Sequence, residues 1–184
     1  MSIPAPYIIY TLAALLVAFF VTRFAFSLKA YFEQRGKRLI VCPENRKHAA
    51  VELNAALAAE KAFFGSHHFR LRTCSRWPEK EDCGQECLKQ IELAPDECLV
   101  KNFVARWYEG KKCVYCGKLI PAGDWLGHKP ALMNRDKKTI YWDIVAPEML
   151  PEVFGNCTPV CWDCHITESF RREHPELVVD RPPH

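Results

Sequence analysis

Apolar side chains run almost unbroken from Ile3 through Thr22, broken only by Thr11 and Thr22 themselves, and the first charge along the chain is Arg23. About twenty such residues at a helical rise of ~1.5 Å cover the ~30 Å hydrocarbon core of a bilayer. Tyr7 and Tyr10 stand near one end, where aromatic residues favour the membrane–water boundary. A cleaved signal peptide would carry a basic start, a shorter apolar core and small residues at its cleavage site. Here Met1–Pro6 has no Lys or Arg, and Arg23, Phe24 and Phe26 occupy the places where small residues would be needed. The pattern predicts an uncleaved transmembrane helix with Arg23 snorkelling at its end.

Beyond the anchor the periodicity shortens. Arg38–Cys42 reads as a strand, stopped by Pro43, Glu44 and Asn45, and His48–Asn54 alternates with Val51 and Leu53 on one face. The Ala-rich run Ala55–Phe64 favours helix, closed by Gly65, and His68–Thr73 alternates as a half-buried strand ending at Cys74. A helix is expected over Gly84–Leu93, with Cys83 and Cys87 on one face of its first turn. Pro95, Asp96 and Glu97 form a helix start, and Val100, Phe103, Val104 and Trp107 a core-facing stripe that ends at Gly110. Ala131–Met133 and Thr139–Trp142 flank the turn at Asn134–Lys137 as a hairpin. Pro147–Phe154 and His165–His174 read as helices, the second ended by Pro175. The fold class is therefore α+β: one N-terminal transmembrane helix, then a small metal-stapled domain. Its expected parts are an anchor with a juxtamembrane helix (1–35), a cysteine-containing α+β region with a linking helix (36–110), and a compact C-terminal module with a frayed tail (111–184).

Composition changes the picture at one point. The chain has 184 residues and a formal net charge of +3, too mild to argue for nucleic acid, but it holds ten cysteines. That many thiols call for disulfides or metals, and compartment decides which. Arg23, Lys29, Arg35, Lys37 and Arg38 follow the span against Glu33 alone. The positive-inside rule then places the N-terminus outside and the remainder in the cytoplasm, with the chain in the inner membrane. Cytoplasmic reductants keep thiols free, which favours metal.

Cys113-Val-Tyr-Cys116-Gly117 and Cys161-Trp-Asp-Cys164-His165 form a paired CxxC…CxxC. Two such turns facing each other offer four thiolates to a tetrahedral structural zinc. A second tetrahedral set is offered by Cys42, Cys74, Cys83 and Cys87, with Cys98 competing for the fourth place. One or two zinc ions are thus expected. Two redox alternatives use the same residues. Cys161–His165 spells CxxCH, the attachment sequence of c-type haem, with His165 as an axial ligand and His128, His174 or Met149 opposite. Cys74, Cys83, Cys87 and Cys98 could instead hold an iron–sulfur cluster.

A CxxCG turn, a hairpin and a CxxC at a helix start are the parts of a treble-clef zinc finger. Within that group, residues 113–172 resemble the HNH nuclease module. His128, Pro130, Asn156 and His165 match its His, Pro, Asn and final His or Asn by position. The resemblance implies zinc on the four CxxC cysteines, a water-activating role for His128 and a catalytic cation held by the later residues. Two features differ from the family: Gly127 stands where an acidic cation ligand precedes the His, and the stretch from His128 to Asn156 is long. Without that carboxylate the site lacks a ligand for a hard cation. The sequence therefore points to a membrane-anchored zinc-binding protein acting as a non-catalytic accessory, assembly or anchoring subunit of a membrane complex. An electron-transfer subunit and a degenerate HNH-type nuclease are the alternatives, and no nucleic-acid partner is expected.

Overall fold

The apolar run forms one continuous helix, α1 (Ala5–Gln34), in a computed structural model that describes residues 5–66, 69–77, 79–80, 82–121, 123, 125 and 127–177. At ~1.5 Å per residue, α1 is about 45 Å long and outruns the hydrocarbon core. It is long and apolar enough to cross a membrane. From Tyr7 to Thr22 every side chain is exposed. Past Thr22 one stripe becomes half-buried: Arg23, Ser27, Ala30, Tyr31 and Gln34, three to four residues apart and so on one helix face.

That face packs against α2 (Ala55–Phe63), which runs back along it. The Ser27 hydroxyl donates to the Ala59 carbonyl (2.8 Å), and Phe63 stacks on Phe20 with ring centroids 6.5 Å apart. Gly65 ends α2 at φ +82°, and a Cβ there would stand 3.0 Å from the Arg23 guanidinium, so glycine serves both the turn and the close approach.

The far end of α1 is held by Arg38, which is fully buried. Its guanidinium donates to the carbonyls of Glu33 (2.9 Å) and Gln34 (3.1 Å), capping the last turn of α1 from the first strand of the domain. Burial lowers the Arg38 pKa, opposed by the nearby Cys98 and Asp96.

Strands β1 (Lys37–Val41), β2 (His48–Leu53) and β3 (Leu71–Cys74) form an antiparallel sheet with β2 central. Successive side chains of β1 point to opposite faces, and both faces are covered. Ile40 joins Ala49, Val51, Leu53, Leu71, Cys87 and Ile91 in one core. Leu39 joins the larger core built on Val104, Tyr108, Leu132, Leu150, Phe154 and Val160. The edge of β1 is satisfied by other segments: Leu39 N–H donates to the Cys98 carbonyl (2.7 Å), and the Gln90 side chain bonds both Val41 N–H and Val41 C=O.

Two helix starts differ from expectation. The helix expected from Gly84 begins at Leu88 (α3, Leu88–Leu93), because Gln85 takes φ +53°, outside helical geometry. Cys83 therefore precedes the helix and does not share its face with Cys87, its N-terminal flanking residue. The linking helix α4 (Val100–Tyr108) starts five residues after Pro95. Residues 95–98 instead form turns, and Leu99 bridges to Arg38, with the Cys98 carbonyl accepting from Leu39 N–H.

In the C-terminal half, β4 (Ala131–Met133) pairs with both β5 (Thr139–Tyr141) and β6 (Thr158–Val160). A short helix, α5 (Leu150–Asn156), enters β6, and α6 (Trp162–Glu173) follows it. Phe154 stacks with Phe103 and Trp107, and the buried Tyr108 hydroxyl donates to the Ala131 carbonyl at 2.8 Å. Phe69 and Arg70 precede β3 as irregular backbone, whereas His68 and the chain end from 178 lie outside the described residues. The strand start and frayed tail expected there are thus not described.

Charge-assisted hydrogen bonds contribute about 1.5–3 kcal/mol each, and losing a buried charged donor orphans its acceptors. Arg38→Ala should lower the stability of the detergent-solubilised chain by about 3 kcal/mol, read by denaturant unfolding. Exposed Arg35→Ala, the control, should change it by well under 1 kcal/mol.

Candidate metal centre

The segment after α4 folds into a knuckle fixed by its own backbone. Cys113 N–H donates to the Lys118 carbonyl (2.9 Å) and Gly117 N–H to the Cys113 carbonyl (2.9 Å), with Gly117 at φ +70°. Ile120 N–H returns to the Lys111 carbonyl, and Val114 N–H donates to the Pro159 carbonyl, fastening the knuckle to β6. Strand β6 leads directly into Cys161, which flanks the N-terminus of α6, with Cys164 in its first turn. The hairpin, the knuckle and the helix start thereby place both CxxC pairs on one point.

The sulfur atoms of Cys113, Cys116, Cys161 and Cys164 all lie within 4.8 Å of one another. Cys116 Sγ and Cys161 Sγ are 3.8 Å apart. A zinc–thiolate bond of ~2.3 Å puts the sulfurs of a tetrahedron about 3.8 Å apart, whereas a disulfide needs ~2.05 Å. The observed separation is that of ligands around an ion. These four cysteines are placed to bind a metal ion.

Electrostatics divides the four unequally. At Cys113 burial disfavours the thiolate, but the backbone amides of Cys116, Cys161 and Tyr115 and the Cys161 thiol outweigh it and bring the pKa down to about 7. At Cys161 and Cys164 burial raises the pKa, and at Cys164 the neighbouring thiols raise it further. The Cys113 thiolate forms readily; those of Cys161 and Cys164 require a cation to offset their burial and the repulsion between sulfurs. The N-terminus of α6 adds a favourable dipole on the Cys161 side.

Three of the four residues matched to the nuclease module, His128, Asn156 and His165, have structural partners. His128 stacks on Trp162 with ring centroids 4.4 Å apart. The Asn156 amide donates to the Glu152 carbonyl (3.0 Å), and its Oδ1 accepts from Arg135 (2.7 Å). His165 is buried against the Tyr141 ring at 4.2 Å, and burial, aided by Arg172, lowers its pKa. Its Nδ1 has no hydrogen-bond partner among the described residues. Gly127 adopts φ +87°, a backbone angle that disfavours any residue with a side chain.

The other expected ligands lie on the far side of the first sheet. Cys42, Cys74, Cys83 and Cys87 line one cavity of about 200 Å³. The competitor Cys98 does not line it; its thiol is directed at the Gln90 carbonyl, 3.7 Å away. Cys157, unassigned by the sequence, is half-buried after α5 against the larger core. Sequence reasoning missed Arg76, which donates to the Cys42 sulfur at 2.6 Å and to Glu44 at 3.3 Å. No local signal marks it, since it meets Cys42 only through the sheet that pairs β1 with β2 and β2 with β3.

In comparisons with known proteins, no family model, curated protein or solved structure matches the chain.

Thiolate ligation links folding to metal and pH, because protons compete for the same sulfurs. Structural zinc contributes apparent free energies of roughly 10–16 kcal/mol, comparable with the whole stability of a small domain. Stripping the metal with a strong chelator at neutral pH, or acidifying, should abolish the near-UV circular dichroism of Trp107, Trp125, Trp142 and Trp162. The far-UV helix signal of α1 should survive. An unchanged near-UV spectrum in demonstrably metal-free protein would contradict a structural role.

Proposed function

We propose that the chain is a membrane-anchored zinc protein in which a treble-clef-like module serves as a non-catalytic accessory, assembly or anchoring subunit of a membrane complex. The observation that carries this reading is the closed set of four mutually adjacent sulfurs. Structural zinc takes four protein ligands, whereas catalytic zinc keeps a position open for water or substrate. A knuckle, a hairpin and a helix opening on the second CxxC support the treble-clef description.

Membrane anchorage draws support from the way α1 is used twice. Its first half exposes apolar side chains on every side, while its second half packs on α2 and its end is capped by Arg38. Cleavage as a signal peptide would remove a packing partner from the folded domain. Phe63 lies level with Phe20, and neighbouring Phe64 is 72% exposed, so the tip of α2 reaches the depth of the apolar stretch. The domain is held against the bilayer surface, not hung on a flexible tether, and the basic residues after the span favour the cytoplasmic side of the inner membrane.

Electron transfer is the weaker reading. Cys161 and Cys164 share their point with Cys113 and Cys116, and His165 is buried on Tyr141, which argues against thioether haem with an axial His165. Nuclease action is weaker still. Gly127 supplies no carboxylate, and His128 lies on Trp162.

The Cys113 centre of the purified chain should hold zinc and give no haem absorption, and the chain should be inert toward DNA with Mg²⁺ or Mn²⁺. A reporter fused after His184 should be active only in the cytoplasm. A Soret band, a periplasmic reporter, or DNA cleavage lost in His128→Ala would each overturn this reading.

A further inference from the structure

The turn at Cys42 repeats the backbone of the Cys113 knuckle, bond for bond. Cys42 N–H donates to the Lys47 carbonyl (2.8 Å), as Cys113 N–H does to Lys118 (2.9 Å). Arg46 N–H donates to the Cys42 carbonyl (2.8 Å), as Gly117 N–H does to Cys113 (2.9 Å). The fifth residue has positive φ in both, +57° at Arg46 and +70° at Gly117. In both turns the amides two and three residues after the cysteine point at its sulfur, those of Glu44 and Asn45 here and of Tyr115 and Cys116 there. Asn45 stands where the second CxxC cysteine would be, so this knuckle presents a single sulfur and needs its other ligands from elsewhere.

They are within reach. Cys74 at the end of β3, Cys83, and Cys87 at the head of α3 line the same cavity as Cys42. Two buried donors on its wall, Arg76 Nε and Trp77 Nε1, have no hydrogen-bond acceptor among the described residues. Orphaned buried donors are costly, and metal-bound sulfur is an acceptor that would satisfy them. Four thiolates around a divalent ion leave an excess of negative charge, and Arg76 is already bonded to Cys42.

We infer that Cys42, Cys74, Cys83 and Cys87 form a second thiolate metal centre, independent of the first, with Arg76 and Trp77 as its outer hydrogen-bond donors. Its ligand chemistry is that of zinc or of an iron–sulfur cluster. Among the described residues, only the Cys113 group brings three or more donor atoms within 4.8 Å of one another. The cavity thiols stand wider, so a single ion would draw them inward, whereas a multinuclear cluster would span the gap.

The test is metal stoichiometry on the full-length chain in detergent, prepared anaerobically, with differential alkylation of its cysteines read by mass spectrometry. The wild type should hold about two centres, with Cys42, Cys74, Cys83 and Cys87 shielded from maleimide until a chelator is added. Cys42→Ser/Cys87→Ser should lose one centre and keep the protection of Cys113 and Cys161; Cys113→Ser/Cys161→Ser should do the reverse. Zinc in the lost centre identifies a single ion, and iron with inorganic sulfide and visible absorption identifies a cluster; both sustain the inference. One centre per wild-type chain, with the four cavity thiols alkylating as fast before chelation as after, would overturn it while leaving the Cys113 site intact. That wild-type measurement decides the matter even if the serine variants fail to fold.

Discussion

Four sulfurs gathered within 4.8 Å of one another are the constraint on which the C-terminal half is built. Left as thiols they gain little from proximity, and ionised they repel. With a metal between them, the same arrangement joins the knuckle after α4 to the head of α6, 45 residues further on. The larger core lies alongside this junction: Cys113 is itself a buried member, and Cys161 and Cys164 pack against it. Domains this small bury a limited share of their surface, and the free energy of a bound metal can take up the deficit.

The long apolar helix α1 is joined to that domain by polar chemistry of another kind. The buried guanidinium of Arg38 fastens onto carbonyls that a helix end would otherwise leave unpaired. Alongside it, α2 lies on the second half of α1 through Ser27 and Phe20. The consequence is mechanical. Helix α1, the first sheet and the four-cysteine module are linked through β1, whose Leu39 enters one core and Ile40 the other.

The sequence revealed features whose signal is local. The apolar run of α1, both CxxC pairs, the alternation in β2 and the hairpin at Asn134–Lys137 each follow from residues close together in the chain. Helix starts were misplaced where backbone conformation was decided elsewhere. Gln85 takes positive φ while its side chain bonds the Leu71 amide, and the segment after Pro95 gives its Cys98 carbonyl to Leu39. The knuckle at Cys42 was hidden for a related reason. Asn45 and Arg46 replace the second cysteine and the glycine that normally announce such a turn, so only the backbone hydrogen bonds disclose it. Arg38 looked like one more topogenic charge, and its capping role is set by the tertiary return of β1 against α1.

The most direct test of thiolate-held structure is X-ray absorption at the metal edge of the purified, full-length chain. A first shell of about four sulfurs at ~2.3 Å, with no light-atom scatterer, is the predicted result for zinc at Cys113, Cys116, Cys161 and Cys164. A shell dominated by nitrogen and oxygen, or a metal-free chain that stays folded with these cysteines oxidised to disulfides, would contradict the account.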